Sequence, residues 1–364
     1  MSGGNRIQRA LDWLRPPPRI VDWSIFTAVT VAATTGIVSF LGVTPAWAPV
    51  FWLHRIVGLT LVVLLGFKLA RVRYRVTNRD QWQPTTALSV LTAVVAFATI
   101  GTGVAWVFGF DPEIPYFHFL SVHVGLGLTL FALMVVHQRS RFRPPRRVDF
   151  DRRRTSMQYS VMLVAGALTY RGQEVINTLL NTPGSERRLT GSRRETGTGN
   201  GSFPPTSWVA DDPDRIDLSE WSLTVGGAVD RPRQVAYEEL SPETREEALL
   251  DCTSGWYTVQ EWRGLRVGDV LDEVEPDQDA AYVRFVSVTG YRWSLPIDEA
   301  RDALLATHIG DEPLQHGHGR PLRLVAPDRR GFQWVKWIDR VEVRHDGDPA
   351  QWLVTLISGF TDGE

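Results

Sequence analysis

One cysteine occurs in 364 residues: Cys252, within Leu250-Asp251-Cys252-Thr253-Ser254-Gly255-Trp256. A single thiol makes neither an intrachain disulfide nor a cysteine-rich zinc or iron–sulfur site. It is then a small buried apolar side chain, a nucleophile, or one soft thiolate ligand to a metal held mainly by other groups. Histidine is also sparse. Of eight, His54, His118, His123 and His137 fall in or beside long apolar runs, where ionisable side chains are rare and are functional candidates. His54 and His123 stand at similar depth in two such runs. Two neutral imidazoles facing each other at one depth are either axial ligands of a haem iron or partners in helix–helix hydrogen bonding. His137 follows His123 by 14 residues, about 21 Å further along nearly the same helix face, which suits a second, inner haem. The position equivalent to His137 in the other run is Lys68, either a deprotonated ligand or a cationic chain reaching for the membrane surface. His118 is the alternative to His123, but lies about 140° around the helix from it, so the two cannot serve equally.

The elements that must position these histidines read as membrane. Residues 23–43, 50–70, 87–108 and 117–136 are each mostly apolar and match the roughly 20 residues that span a bilayer core. Arginines crowd the N-terminal arm (Arg6, Arg9, Arg15, Arg19), the stretch 71–79 and the stretch 139–154, whereas 42–49 carries no charge and 109–116 only Asp111 and Glu113. The positive-inside rule then puts the N-terminus in the cytoplasm, with the two short loops outside. A fifth apolar stretch, 157–170, follows Arg152-Arg153-Arg154. These arginines either obey the same rule or form a twin-arginine export signal; in both cases the chain leaves the cytoplasm. Residues 1–180 are therefore expected as a membrane domain with a fifth span over 157–180, 181–202 as a flexible linker rich in Gly, Ser and Thr, and 203–364 as a domain on the extracytoplasmic face of the plasma membrane. Charge divides the same way: residues 1–194 hold 23 Lys+Arg and 9 Asp+Glu, residues 195–364 hold 16 and 32. Such asymmetry indicates two environments, and nothing in the acidic half suits nucleic acid.

In the second half, 221–225, 282–288, 322–326 and 341–344 read as strands, and 238–250 and 265–273 as short helices. With no βαβ alternation and no phosphate-loop glycine motif, this is α+β. The fold class is thus multidomain: an all-α transmembrane bundle of four helices plus a connecting fifth, followed by an α+β domain.

The segment Asp251-Cys252-Thr253-Ser254-Gly255-Trp256 with Glu261-Trp262-Arg263-Gly264-Leu265 resembles the molybdenum-ligand segment of the sulfite oxidase superfamily. His318-Gly319-Arg320-Pro321-Leu322-Arg323-Leu324 with Pro327, Gly331-Phe332 and Val335-Lys336-Trp337-Ile338 resembles its pterin-binding segment, so the resemblance covers residues 203–350. It is most similar to the bacterial branch that includes the catalytic subunit of periplasmic methionine sulfoxide reductase. The resemblance implies a mononuclear molybdenum on one molybdopterin with Cys252 as metal ligand. It implies cofactor contacts from Ser287, His318, Arg323 and the stretch Trp334, Val335 and Lys336, with an earlier contact near Thr206, Ser207 and Trp208. Residues 20–140 resemble the four-helix b-type cytochrome subunits of membrane respiratory oxidoreductases, which implies haem b, one or two, and exchange with quinone or quinol. Lys68 departs from the two-haem pattern. The combined expectation is a membrane-lipid-embedded, molybdopterin-dependent oxidoreductase. It would pass electrons from the quinol pool through haem to a metal that reduces a small oxo substrate such as a sulfoxide, in a monomeric catalytic domain. Sulfite oxidation with electrons flowing to quinone is the alternative, and a haem-carrying anchor with a non-catalytic, partner-binding outer domain is another.

Overall fold

The computed structural model describes residues 17–78, 80, 82–112, 114, 118–141, 146, 153–207 and 211–357. The chain divides into two compact units, Met1–Arg193 and Arg194–Glu364.

The first unit is helical. Helix α1 is Pro18–Val38, α2 Ala48–Thr77, α3 Pro84–Val107, α4 Phe119–Arg141 and α5 Arg153–Leu179. Proline stands in the first turn of α1, α2 and α3, where its missing N–H is not needed. The Gln83 N–H also donates to Thr86 Oγ1 at 3.1 Å, closing the start of α3. Four of these helices are long and apolar enough to cross a membrane, spanning Pro18–Leu41, Pro45–Thr77, Thr85–Val107 and Phe119–Arg139. Their apolar side chains point both ways. Ile25, Val29, Leu61, Leu64, Leu130 and Met134 pack inward, while Val94 on α3 is 59% exposed among similar neighbours. An outer surface of that kind needs an apolar solvent. Helix α1 packs along α2, α3 along α4, and α5 against α2, while α2 and α3 meet only briefly.

The fifth helix differs from the expected short apolar segment. It runs for 27 residues, about 40 Å, because the polar residues on either side of 157–170 continue the same helix. It is not among the four apolar candidates, although Val161, Leu163, Val164 and Leu168 form an exposed apolar face on it. The stretch 181–202 carries defined contacts: Thr182 Oγ1 donates to Asn177 Oδ1 at 2.8 Å, and buried Asn200 donates to the Pro313 carbonyl at 3.0 Å.

The second unit is α+β. Its elements are β1 Ser222–Gly227, β2 Arg233–Ala236, β3 Thr244–Asp251, β4 Trp256–Arg266, α6 Val267–Val274, β5 Tyr282–Ser287, β6 Arg292–Pro296, α7 Ile297–Asp302, β7 Leu304–Ile309, β8 Glu312–Pro313, β9 Arg323–Val325, β10 Ile338–Arg344 and α8 Gln351–Ile357. One sheet places β3, β4, β7 and β9 side by side, all antiparallel, with β8 on β7. The other has the order β2-β1-β10-β5-β6, and β1 pairs with β10 in parallel. Trp262, Phe285, Leu305 and Val341 lie in the core.

The helix expected over 238–250 is instead a single turn, Tyr237–Glu239, followed by β3. The run Arg245-Glu246-Glu247-Ala248 favours helix locally. Pairing of Thr244–Asp251 with β4 along all eight residues overrides that preference, and it seats Ala248 and Leu250 in the core at a period of two.

Candidate functional site

In the second unit, β3 and β4 form a hairpin whose tip is 252–255. The Cys252 N–H donates to the Trp256 carbonyl at 2.8 Å and the Gly255 N–H to the Cys252 carbonyl at 3.1 Å. Gly255 has φ 99°, a left-handed conformation that only glycine adopts cheaply. The half-buried thiol therefore sits at a tight, fixed tip. It lines a cavity of about 40 Å³ together with Thr206, His318, Arg323, Trp334 and Lys336. Six of the residues singled out from the sequence thus converge on one space.

Two cations in that space lack a carboxylate. Arg323 is buried; Nη1 donates to the His318 carbonyl at 3.1 Å, and Nε has no hydrogen-bond partner. Its guanidinium lies 5.3 Å from the Trp262 ring centroid and 5.8 Å from that of Trp334. Burial pushes its pKa down to about 10, opposed by the nearby Cys252 thiol. Lys336 Nζ donates to the carbonyls of Gly317 and Thr206 at 2.8 and 3.1 Å and to Ser207 Oγ at 2.8 Å. Burial first, and Arg323 second, lower its pKa to about 7. Among the described residues neither cation has an acidic oxygen within 4.0 Å. Burying such charges is costly unless an anion joins them.

His318 is held neutral: burial, then Arg323, push it down to about 4. Its Nε2–H donates to the Asn200 carbonyl at 2.9 Å, and the ring packs on Phe203. His316 Nε2 meets the Pro213 carbonyl at 2.8 Å, so the two histidines are committed to separate backbone acceptors. Ser287 and Val335 are buried but do not line the cavity. Ser287 Oγ is 3.0 Å from Thr289 Oγ1, and the Val335 carbonyl accepts from the Leu324 N–H at 2.8 Å. Trp208 lies outside the described residues.

Sequence reasoning missed Arg330. Its Nη1 donates to Asp251 Oδ1 at 2.7 Å and its Nη2 to the Cys252 carbonyl at 3.3 Å, with both charged residues nearly free of solvent. Residues 251 and 330 also form a parallel β-bridge. The pair fixes the hairpin tip from the side. Gly331 follows at close range: a Cβ there would sit 3.2 Å from Cys252 Cα.

The first unit holds a separate constellation. The rings of His54 on α2 and His123 on α4 face each other with centroids 6.2 Å apart and planes at 83°. His54 Nδ1 donates to the Ala32 carbonyl of α1 at 2.9 Å, and His123 Nδ1 to the Thr99 carbonyl of α3 at 3.0 Å. A carbonyl only accepts, so each Nδ1 carries its proton. Each Nε2 is left as a lone pair with no hydrogen-bond partner among the described residues. Two imidazoles sharing one metal ion at about 2 Å each would have centroids about 6 Å apart. Close helix approach makes this geometry: a Cβ on Gly36 would meet His54 Cε1 at 3.3 Å, and one on Gly103 would meet His123 Cε1 at 2.8 Å. These glycines were not singled out, nor were Thr35 and Thr102 beside them, whose hydroxyls lie 3.3 and 3.1 Å from the two Nδ1 atoms. The available signal was a repeat. His54 and His123 are each followed, four residues on, by Gly-Leu-Thr-Leu (58–61 and 127–130), and each is preceded in its partner helix by Thr-Gly.

The other membrane candidates are not part of this pair. Lys68 Nζ is ion-paired with Asp22 of α1 at 2.5 Å, which engages it as a cation. His118 precedes α4, and its carbonyl accepts from the Ser121 and Val122 N–H groups. His137 lies on α4, 14 residues after His123.

Residues 210–352 match the family described as oxidoreductase molybdopterin binding domain. An uncharacterized oxidoreductase of Bacillus subtilis is 31% identical over 153 residues, covering 41% of this chain and 77% of its own length. The catalytic subunit of a protein-methionine-sulfoxide reductase of Xanthomonas axonopodis pv. citri is 33% identical over 167 residues, 38% of this chain and 51% of that protein. Its counterpart in Gluconobacter oxydans is 31% identical over 154 residues, 36% of this chain and 49% of that protein. The chain spans about half the length of these two reductase subunits.

Proposed function

Because this chain belongs to the oxidoreductase molybdopterin-binding family, we propose that its second unit holds a molybdenum–pterin cofactor on Cys252, Arg323 and Lys336 and reduces a small oxo substrate. The observation that carries the reading is a thiol, the buried Arg323 and the half-buried Lys336 on one cavity, neither cation with a carboxylate in ion-pairing distance among the described residues. That donor set fits a soft metal on a phosphate-bearing pterin. The cavity of about 40 Å³ is where the cationic side chains and the thiol meet, which suits the phosphate end of the group. When bound, the cofactor supplies a metal that cycles oxidation state during oxygen-atom transfer.

The chain's own residues do the rest. Cys252 offers the thiolate from a rigid hairpin tip. Arg323 and Lys336 neutralise the phosphate, and Lys336 is held protonated by the anion it binds. Neutral His318 keeps Nδ1 as an acceptor because Nε2–H is committed to Asn200. Trp334 and Trp262 flank the Arg323 guanidinium and keep water from it. Two of the relatives are named as methionine-sulfoxide reductase subunits, which supports reduction of a sulfoxide over oxidation of sulfite.

The first unit is read as the electron source: haem b between His54 and His123, charged by quinol. The ring spacing and the two unprotonated Nε2 atoms support this. The arginine distribution supports a cytoplasmic N-terminus and an odd number of crossings once α5 is included, which sets the second unit on the extracytoplasmic face. Protease added to intact spheroplasts then cuts within 181–202; protection until lysis overturns that topology.

The test of function is direct. The purified chain is assayed for molybdenum and pterin, reduced with a quinol analogue, and offered sulfoxides, N-oxides and chlorate while haem absorbance is followed. Reoxidation by sulfoxides supports the reading. Reduction of haem by sulfite establishes the reverse flow. A chain carrying haem but no molybdenum leaves the non-catalytic anchor as the answer.

A further inference from the structure

A second, larger cavity of about 270 Å³ lies wholly within the first unit, at the ends of α2, α3 and α5 and the segment 184–191. Its lining is rich in hydrogen-bond donors. Arg55 Nη2 is tethered to the Leu189 carbonyl at 3.2 Å and Arg187 Nη1 to the Gly191 carbonyl at 2.8 Å. Neither guanidinium has a carboxylate within ion-pairing distance among the described residues. Glu174 in the same lining is already engaged by Tyr170 and Arg171, and Asp111 is engaged by Arg193 at 3.2 Å. Gln173 is 7% exposed, and its Nε2 has no partner. Arg187 stacks on Trp106 at 3.7 Å, and burial pushes its pKa down to about 10. Two half-buried guanidiniums with no carboxylate in ion-pairing distance among the described residues, Arg187 feeling Asp111 only from further off, and an orphaned amide donor suit a ligand with two anionic acceptor groups, of which paired carboxylates are the planar match.

The position of the cavity says where those carboxylates come from. Arg55 immediately follows His54 on α2. Trp106 on α3 lies three residues beyond Gly103, the glycine against which His123 packs, so it stands about 4.5 Å further along the helix. The cavity is therefore one turn from the level of the facing imidazoles. It lies on the side where α2 and α3 touch only briefly, not where the α1–α2 and α3–α4 pairs close the space. We infer that this cavity is the seat of the two propionates of a haem held by His54 and His123, with Arg55, Arg187 and Gln173 as the groups that bind them. The assignment rests on the haem reading above and adds the orientation: the propionate edge faces the α2–α3 gap and the 184–191 segment. A soluble dicarboxylate would satisfy the same groups, and the experiment separates the two sources.

Full-length chain from haem-deficient cells is titrated with haem b and with its dimethyl ester, in which both propionates are masked, and Soret absorbance is read. The wild-type chain binds the free acid at least about tenfold more tightly than the ester, the scale of one or two charge-assisted hydrogen bonds. R55Q/R187Q binds both forms equally, with affinity for the ester unchanged, and R55K/R187K recovers part of the preference. In haem-loaded protein R55Q/R187Q lowers the midpoint potential, because fewer positive charges beside the ring favour the oxidised iron. An acid-to-ester ratio that is the same in wild type and R55Q/R187Q overturns the inference. So does stabilisation of H54A by succinate that disappears in H54A/R55Q/R187Q, which makes the cavity a site for a soluble dicarboxylate. A wild-type chain that gives a Soret shift with neither form overturns the histidine reading itself, an outcome distinct from an unchanged ratio.

Discussion

In the first unit, each of the facing histidines gives its Nδ1 proton to a carbonyl of the neighbouring helix and is left with a lone pair on Nε2. In the second unit, buried Arg323 and half-buried Lys336 pack against carbonyls and tryptophan rings with no carboxylate in ion-pairing distance among the described residues. Both arrangements are incomplete, but in opposite senses. A pair of neutral lone pairs at metal-sharing distance asks for a metal and accommodates its charge elsewhere. Two cations beside a thiol, one buried and one half-buried, suit an anion that itself carries a soft metal. The two proposals therefore rest on opposite signs of what is missing, lone pairs in one unit and positive charge in the other, and each can be broken separately.

The largest expected effect breaks one side of this comparison and leaves the other intact. Loss of a partner outside the ligand shell of a metal costs about 10–100-fold, so Cys252→Ser, which removes a proposed ligand, reduces turnover by more than about 100-fold. The absorbance of the proposed haem is expected to stay as in wild type, since no residue of the first unit changes. Turnover within a few-fold of wild type would remove Cys252 from the metal. Conversely, His54→Ala and His123→Ala are each expected to abolish the same absorbance band while molybdenum content is retained. Two variants that retain different bands would mean that the imidazoles serve different irons and that their 6.2 Å spacing is only packing.

How much of this was legible in the sequence follows from the range over which each feature is encoded. His54 and His123 stood out because an ionisable residue in an apolar run is conspicuous one residue at a time. Their partners Gly36 and Gly103 did not, because glycine is common in such helices and its role here is set by a helix 18 or 20 residues away. Only the repeated Gly-Leu-Thr-Leu after each histidine would have tied them together. Cys252, Arg323 and Lys336 came from motif resemblance, and the cavity gathers them. Strand β3 was misread because Glu246 and Glu247 favour helix locally, while the pairing that decides the matter lies across the hairpin. Arg330 was invisible for a related reason: its partner Asp251 is 79 positions away, and no local pattern marks a buried ion pair.

That pair offers the next sharpest test, of medium size. Truncating one partner of a buried ion pair typically costs about 3–5 kcal/mol, because the other charge is left uncompensated, whereas replacing both with apolar groups costs far less. Arg330→Met is therefore expected to destabilise the second unit by about that amount and to lower molybdenum occupancy by loosening the Cys252 tip. Asp251→Leu combined with Arg330→Met should recover much of the stability, read by denaturant unfolding, without restoring the metal. Equal loss in the single and double variants would show that the pair acts through the β-bridge rather than through charge.

The smallest effect concerns Lys336 and tests whether the second unit is truly waiting for an anion. Burial, followed by Arg323, holds the amine at about 7 instead of the usual 10.5. In the unfolded chain it keeps its proton up to the ordinary value, so between about 7 and about 10.5 the unfolded chain binds more protons than the folded one. The cofactor-free protein consequently gains stability from this residue as pH rises through that window, and the full penalty of the buried charge applies below it. An anion in the cavity reverses the trend by stabilising the ammonium form, so its binding tightens as pH falls through about 7. Sulfate is the suitable probe, because it stays dianionic across the window and approximates a phosphate in size. Calorimetric titration of the cofactor-free chain at pH values of about 6 and about 8 is expected to show severalfold tighter binding at the lower value. Lys336→Met should weaken sulfate and flatten the dependence, whereas Arg323→Met should weaken it and leave a slope displaced to higher pH, since Arg323 is one of the groups that lowers the lysine. A flat profile in the wild-type chain would mean that Lys336 is charged at all these pH values, and that its three oxygen partners and the field of Asp211 already satisfy it.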